Sequence, residues 1–126
     1  MAQGDLAIVE RWLEAVNRGD RAAVLAEAAE DIEIKGPRGS QKGRHVLADW
    51  LSRAGFTAEA RRWFCTADGR CVVEQEARWQ GGVAKRVASA FTVRDARIVR
   101  YERFDDLADA LASERMELAD EVLARS

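Results

Sequence analysis

The chain has 126 residues, of which 48% are apolar and 33% charged, a length and composition typical of one globular domain over residues 1–126. Its 20 Lys and Arg and 22 Asp and Glu are scattered and give a net charge of −2, which excludes the basic stripe of a nucleic-acid-binding protein. No segment approaches the roughly 20 apolar residues of a membrane span, and the N-terminus lacks a signal-peptide pattern. We therefore expect a cytoplasmic protein that binds neither nucleic acid nor membrane.

The N-terminal third has the spacing of two helices. An amphipathic helix over residues 5–18 is predicted by apolar residues at helical spacing: Leu6, Val9, Leu13 and Val16. Gly19 then suits a helix C-cap, and Asp20 suits the N-cap of a short second helix that ends near Ala28. The two helices should therefore be joined by a tight reversal.

A strand and a glycine-rich loop follow. Ile32 and Ile34 alternate with charged residues, which predicts a strand with one buried face. The loop "GPRGSQKG" lacks the Gly-Lys-Ser/Thr ending of a phosphate-binding loop, and Pro37 is suited to direct the chain out of the strand. A third helix runs from about Val46 to Ala54 and should end at Gly55.

From Phe56 onward the apolar period changes from nearly four to two. Four strands are predicted over 57–66, 70–80, 83–94 and 97–104, with "ADG", "GG" and "DA" at the hairpin positions. A last helical segment begins at Asp105 or Asp106 as N-cap, with a break near Ser113. The order α-α-β-α-β-β-β-β-α predicts an α+β domain in which helices pack on one concave face of a curved antiparallel sheet.

Two cysteines flank the first predicted hairpin turn. Cys65 and Cys71 could face each other across "TADGR", but reducing cytosol favours two free thiols. With His45 as the sole histidine they cannot form a four-ligand zinc site. No metal and no cofactor are predicted.

This order of elements carries a family resemblance. With "VERWLEAVNRGD", "AAEDIEI" and "GPRGSQKGR", residues from about 5 to 112 resemble the nuclear-transport-factor-2-like superfamily, in particular its SnoaL-like and ketosteroid-isomerase-like branch. The resemblance implies a cone, formed by a curved sheet around the N-terminal helices, with a pocket at its wide end and the glycine loop at its rim. Members include isomerases, cyclases, dehydratases, epoxide hydrolases and domains that only bind or dimerise, so the fold implies a pocket and not a reaction.

The residues that carry isomerase chemistry in this branch have no counterpart in the chain. The resemblance places Trp12 at the position of the oxyanion-binding tyrosine, Gly36 at that of the aspartate base and Ser89 at that of the protonated acid. An aspartate of the epoxide-hydrolase branch is matched by Arg103. Neither mechanism is expected in its usual form.

Strand alternation and the resemblance together place one set of side chains on the concave face: Val87, Ser89, Phe91, Val99, Tyr101 and Arg103. A buried guanidinium needs a counter-charge, so Arg103 either pairs with an acid such as Asp105 or Glu14 or binds an anionic ligand group. Tyr101 is either a core ring whose hydroxyl reaches the backbone or a donor to a ligand. The predicted ligand-binding residues are Trp12, Ile34, Gly36, Trp50, Ser89, Phe91, Tyr101 and Arg103.

Three functions remain open at this stage. The first is a binding module for a small apolar or aromatic ligand, with or without an anionic group. The second is an enzyme of hydrolase, cyclase or dehydratase type that acts on a polyketide-, terpenoid- or steroid-like molecule. The third is a closed cone filled by tryptophans. A homodimer through the convex sheet face is also predicted, from the resemblance and from a flat surface of small residues: Ala84, Ala88 and Ala90.

Overall fold

A computed structural model describes residues 2–36, 39–80 and 82–122 and confirms the α+β class. Within those ranges the helices are Ala2–Arg18 (α1), Arg21–Glu27 (α2), Arg44–Ala54 (α3) and Leu107–Ser113 (α4). The strands are Ala28–Gly36 (β1), Gly39–Lys42 (β2), Phe56–Cys65 (β3), Arg70–Trp79 (β4), Lys85–Arg94 (β5), Arg97–Phe104 (β6) and Glu121–Val122 (β7). The predicted order of the longer elements is confirmed, and β2 and β7 are two short strands that were not predicted.

All of these strands form one curved, unclosed sheet in the order β2-β1-β6-β5-β4-β3-β7. The long strands β3 to β6 make the predicted antiparallel meander, and β1 joins it in parallel beside β6. The register sets Ser89 opposite Arg103 and Phe91 opposite Tyr101, with Ile34 beside Tyr101 on the parallel side. Five predicted site residues thus meet on neighbouring strands.

The first two helices form as their caps predict. Gly19 has φ +70°, a left-handed conformation that glycine adopts without steric cost. The Asp20 side chain accepts a hydrogen bond from the Ala23 N–H at 3.1 Å, which satisfies a donor that the helix itself leaves unpaired. Val9 and Trp12 of α1 are fully buried against the concave face of the sheet.

The fourth helix lies on the opposite, convex face, so the prediction that helices pack on one face is wrong. Ala110 and Leu111 of α4 pack there against a second hydrophobic cluster on the convex face of the sheet: Phe64, Val72, Ala88 and Ala90. Ala88 and Ala90 are fully buried by the chain's own helix. Two of the three small residues predicted to form a dimer surface, Ala88 and Ala90, therefore lie beneath α4, because a helix needs small neighbours to approach a sheet closely, while Ala84 stays partly exposed.

A bulge alters the predicted alternation of β6. The pairing passes from Thr92–Arg100 directly to Val93–Ile98 and skips Val99. Ile98 is fully buried while Val99 is only half-buried. Val99 does not take the predicted inward position, because one extra residue reverses which side chains face the core.

The predicted cap at Asp106 and the predicted break near Ser113 are confirmed, but the C-terminal segment and the glycine loop each form a short strand that was not predicted. The last helix starts with the Asp106 side chain accepting from the Asp109 N–H and stops at Ser113, after which a 3₁₀ turn leads into β7 on the free edge of β3. In the loop, Gly39–Lys42 pairs with β1 as a strand. Both segments find backbone partners on exposed strand edges. Pro37, Gly81 of the "GG" turn and residues 123–126 lie outside the described residues.

The cysteines face each other directly, as the hairpin predicted. Cys65 and Cys71 are paired in register, both are buried, and both are free thiols. The adjacent Cys65 thiol, followed by burial, raises the pKa of the Cys71 thiol. A thiol held protonated in this way is a poor nucleophile, so these residues serve as core side chains.

Candidate functional site

The interior of the cone is built around six aromatic rings that contact one another, here called the aromatic cluster. Its members are Trp12, Trp50, Phe56, Trp79, Phe91 and Tyr101. Tyr101 is central, with ring centroids 5.1 Å from Trp12, 5.2 Å from Phe91 and 6.0 Å from Trp50. These separations are those of attractive aromatic pairs. The cluster lies between helices α1 and α3 and the concave face of the sheet, so Trp12 is a core side chain.

Three buried polar atoms in this region lack a hydrogen-bond partner among the described residues: Trp12 Nε1, Gln75 Nε2 and Tyr101 Oη. Ser89 Oγ donates to Gln75 Oε1 at 2.6 Å, so one end of that amide is satisfied and the other is not. An unpaired buried polar group costs about 1–3 kcal/mol, and such groups are uncommon in native proteins. All three atoms lie on the concave side of the sheet.

Tyr101 does not make the predicted bond to a backbone group. Its burial raises the pKa of the phenol, and the nearby Ser89 hydroxyl and Arg103 charge lower it only in part. The phenol therefore stays protonated at neutral pH, and its O–H forms no hydrogen bond of normal geometry with the described residues, although the Ser89 hydroxyl lies near it. The side chain is 4% exposed, so that donor points into the protein and not into solvent.

Arg103 lies on the same face and is partly exposed. Its guanidinium carbon is 4.9 Å from the centroid of the Trp79 ring, a cation–π contact. Across the described ranges, no carboxylate forms an ion pair with it, so the predicted pairing with Asp105 or Glu14 is wrong. Stacking uses the flat face of the guanidinium and leaves its N–H edge available to an anion.

The end of β1 lies near the strand that carries Arg103. The parallel register pairs Ile34 with Tyr101 and Lys35 with Glu102, and Gly36 follows at the end of β1, where it pairs with Gly39 of β2. A Cβ atom built on Gly36 would meet nothing within 4 Å. Space for a side chain is therefore left at this position.

A cavity of about 330 Å³ adjoins the aromatic cluster from the other side. It lies between the end of α1, the start of α2, the end of α3 and the start of β3, and Trp50 and Phe56 form part of its wall. These two rings contact each other at 5.5 Å, and Trp50 is only half-buried. Trp50 is therefore the ring that separates this cavity from Tyr101.

The structure brings the predicted residues together and adds three. Trp12, Trp50, Phe91 and Tyr101 are in the cluster, and Ile34, Gly36, Ser89 and Arg103 border it on the sheet. Gln75, Phe56 and Trp79 were not predicted. A signal for Gln75 exists in the sequence: it lies between the charged residues Glu74 and Glu76, so period-two alternation turns it to the opposite, inward face, where it is fully buried.

The sole histidine and a row of charged residues on β4 lie elsewhere. His45 is exposed. Glu74, Glu76 and Arg78 lie on the convex face, where Glu76 pairs with Arg61 and Arg86 at 3.0 Å each. Within the described part of the chain, no cluster of three or more His, Cys, Asp or Glu could hold a metal ion, and no helix is long and apolar enough to cross a membrane.

Comparison with solved structures returns the same fold. An epoxide hydrolase of the LEH-like type from M. tuberculosis is 22% identical over 88% of this chain and 89% of its own, with a TM-score of 0.73. A putative polyketide cyclase from Xanthomonas campestris is 26% identical over 88% and 96%, with a TM-score of 0.68. TerC, co-crystallised with polyporic acid, is 17% identical over 90% and 97%, with a TM-score of 0.72. No curated protein matches the sequence.

The family comparison covers most of the same elements. The model of the SnoaL-like domain matches residues 9–101, from the buried stripe of α1 to Tyr101 on β6. The matched residues include β3, β4, β5 and the part of β6 up to Tyr101. They include every predicted site residue except Arg103. The chain belongs to the SnoaL-like domain family and has the nuclear-transport-factor-2-like fold.

Proposed function

We propose that the cone binds a small, largely apolar or aromatic molecule that carries an anionic oxygen group. The observation that carries this proposal is the set of unpaired polar groups around one apolar interior: Trp12 Nε1, Gln75 Nε2, Tyr101 Oη and the N–H edge of Arg103. Each of these groups can donate a hydrogen bond. A ligand that satisfies them must present acceptors, and a carboxylate or enolate oxygen suits the guanidinium best.

The apolar part of the ligand would lie against the aromatic cluster. Pockets of this kind are lined mainly by apolar and aromatic side chains with a few polar groups that orient the ligand. Access would come from the open space beside Gly36, or through the cavity behind Trp50 if that ring turns aside. The polyporic acid in the TerC crystal supports an aromatic acid as the first compound to try.

The test is calorimetric titration of the chain with polyporic acid and with a planar aromatic carboxylate and its methyl ester. We expect the acids to bind and the ester to bind at least tenfold more weakly, since a charge-assisted contact with arginine contributes about 1.5–3 kcal/mol. Arg103→Gln should remove the preference for the acid. Arg94→Gln, a change at an exposed arginine on β5, should leave it unchanged. Equal binding of acid and ester by the wild-type chain would refute the assignment of Arg103.

Catalysis in the same interior is the second candidate function. Its support is the Tyr101 hydroxyl, which is buried, protonated and without a partner among the described residues, as a donor to a carbonyl or epoxide oxygen would be. Hydrolysis, cyclisation or dehydration of a polyketide-, terpenoid- or steroid-like molecule would be the reaction class. Turnover that is abolished by Tyr101→Phe while binding persists would establish it, and binding without turnover would leave the chain a binding module.

We also propose a homodimer, through the part of the convex face that α4 leaves uncovered. That part carries alternating charges, including Arg61, Glu76 and Arg86, and a two-fold axis through such a pattern can bring opposite charges together. Light scattering at tens of micromolar, with and without high salt, tests it. A monomer at both salt concentrations would refute it.

A further inference from the structure

The helix on the convex face borders an open apolar groove, here called the α4 groove. The groove has a volume of about 620 Å³. Its apolar wall is formed by α4 and by the turn that follows it, and consists of Leu107, Ala108, Leu111, Ala112, Met116 and Leu118. Leu118 is 62% exposed, and with Val83 it is one of two large apolar side chains that stand out from the described surface. The groove lies on the opposite side of the sheet from the aromatic cluster.

The rim of the α4 groove is acidic. Glu74, Asp106 and Glu117 line it, and Asp106 and Glu117 are exposed. Residues 105–122 contain seven acidic residues and one basic residue, a net charge of −6. Of these acids, Glu114 pairs with Arg100 and Glu121 pairs with Arg62. Glu74 pairs with Arg86 at 3.5 Å, whereas Asp106 and Glu117 form no ion pair among the described residues. The exposed part of the rim is therefore negative.

From this combination we propose that the α4 groove binds a basic amphipathic segment of another protein. An amphipathic helix places apolar side chains in such a groove at helical spacing, while its Lys or Arg residues reach the acidic rim. The same charge disfavours the other occupants. A nucleic acid or an anionic membrane would be repelled, and a second copy of the chain would bring two acidic rims together.

The local structure gives the groove a firm base. Asp106 caps α4 by accepting from the Asp109 N–H at 2.8 Å, and Asp120 accepts from the Glu117 N–H at 2.8 Å. Beyond the helix, Arg100 Nη1 donates to the buried Glu114 carboxylate at 3.1 Å. A preformed surface loses less entropy on binding than one that must order, so the segment that binds would do most of the folding.

The experiment uses the full chain and two labelled peptides of about 18 residues, roughly five helical turns. One peptide repeats Leu at helical spacing with Lys elsewhere, and the other has Glu in place of every Lys. Fluorescence anisotropy should show binding of the Lys peptide, weakened by added salt because rim charges are screened, and no binding of the Glu peptide. Absence of binding to the Lys peptide at low salt, or equal binding of both peptides, would overturn the proposal.

Two matched pairs of variants locate the binding surface. Leu118→Ser should weaken the Lys peptide about fivefold to tenfold, as truncation of an interface anchor does, while Val83→Ser, a change at the other exposed apolar side chain, should not. Glu117→Gln should weaken binding of the Lys peptide and should not make that binding more sensitive to salt. Glu30→Gln, a change at an exposed acid on β1, should leave binding unchanged. Equal effects within a pair would mean non-specific attraction and overturn the proposal. So would a wild-type dimer in sedimentation that Leu118→Ser alone abolishes, since it would assign the groove to a second copy.

Discussion

Two arginines on β6 point to opposite faces of the sheet and differ in the partners that they find there. Arg100 points to the convex face and meets three carboxylates: Glu102 at 2.6 Å, Glu114 at 3.1 Å and Glu33 at 3.6 Å. Arg103 points to the concave face, stacks on Trp79 and pairs with no carboxylate in the described ranges. Arg100 therefore has its carboxylate partners within the chain. Arg103 has N–H groups that a ligand could pair with.

The same contrast holds for the neutral polar groups. The buried side-chain atoms without a partner, as far as the structure describes the chain, belong to Trp12, Gln75 and Tyr101 and all lie on the concave side. Folding alone would select against three such losses in one place, because each lowers stability. The buried polar side chains of the convex face are therefore paired within the chain, whereas the concave face keeps three buried polar atoms without a partner among the described residues.

The largest effect is expected from opening the convex core. Phe64 is fully buried beneath α4, and Phe64→Ala should lower the free energy of unfolding by about 3–5 kcal/mol, through lost burial and a cavity. Urea denaturation measures it. Val83→Ala, at a side chain that is 91% exposed, should change it by no more than about 0.5 kcal/mol. A loss below about 1 kcal/mol for Phe64→Ala would mean that α4 does not seal this face.

The next effect separates the two arginines directly. Arg100→Gln leaves the buried Glu114 without its cation and should cost about 1–3 kcal/mol. Arg103→Gln loses a cation–π contact of about 0.5–1 kcal/mol at most. The two variants carry the same substitution on the same strand, so their difference in unfolding free energy isolates the partners. Equal losses would show that Arg103 has an internal counter-charge after all.

A smaller effect, of the opposite sign, is expected at the centre of the aromatic cluster. Tyr101→Phe deletes a buried hydroxyl that has no partner in the described structure, so stability should stay constant or rise by about 1 kcal/mol. The same urea titration measures it, and Trp12→Phe is unsuitable as a control because it also removes ring volume. A loss of about 1 kcal/mol or more would show that the hydroxyl is already satisfied, for example by an internal water.

The smallest effect is the titration of that hydroxyl. Tyr101 is the chain's one tyrosine, so its ionisation can be followed by near-ultraviolet absorbance without overlap from another phenol. Burial raises its pKa, so the folded midpoint should lie above the unfolded value of about 10. Since the folded pKa is the higher one, this group leaves stability unchanged below the unfolded pKa and reduces it as pH rises toward the folded pKa. A folded midpoint at or below the unfolded value would contradict the buried position.

The elements with strong local signals were predictable. Helical spacing and caps defined α1 and α2, and alternation with hairpin residues defined the meander, because these patterns depend on neighbours in sequence. The errors share a different cause. Whether Val99 faces inward depends on a bulge in the pairing of β6 with β5, and whether Gly39–Lys42 and Glu121–Val122 form strands depends on free edges of β1 and β3. No local pattern carries that information.

The sequence by itself determined the fold, the family and which face of β5 and β6 holds Ser89, Phe91, Tyr101 and Arg103, since periodicity and the order of elements specify those. Only the tertiary structure decided what each polar group meets. In the sequence, Ala88 and Ala90 give the same pattern whether they form an open surface or lie beneath a helix. The sequence around Arg103 likewise does not say whether an acid lies near its side chain. Partners that are distant along the chain set these outcomes, because burial and pairing are properties of the packed molecule and not of a residue.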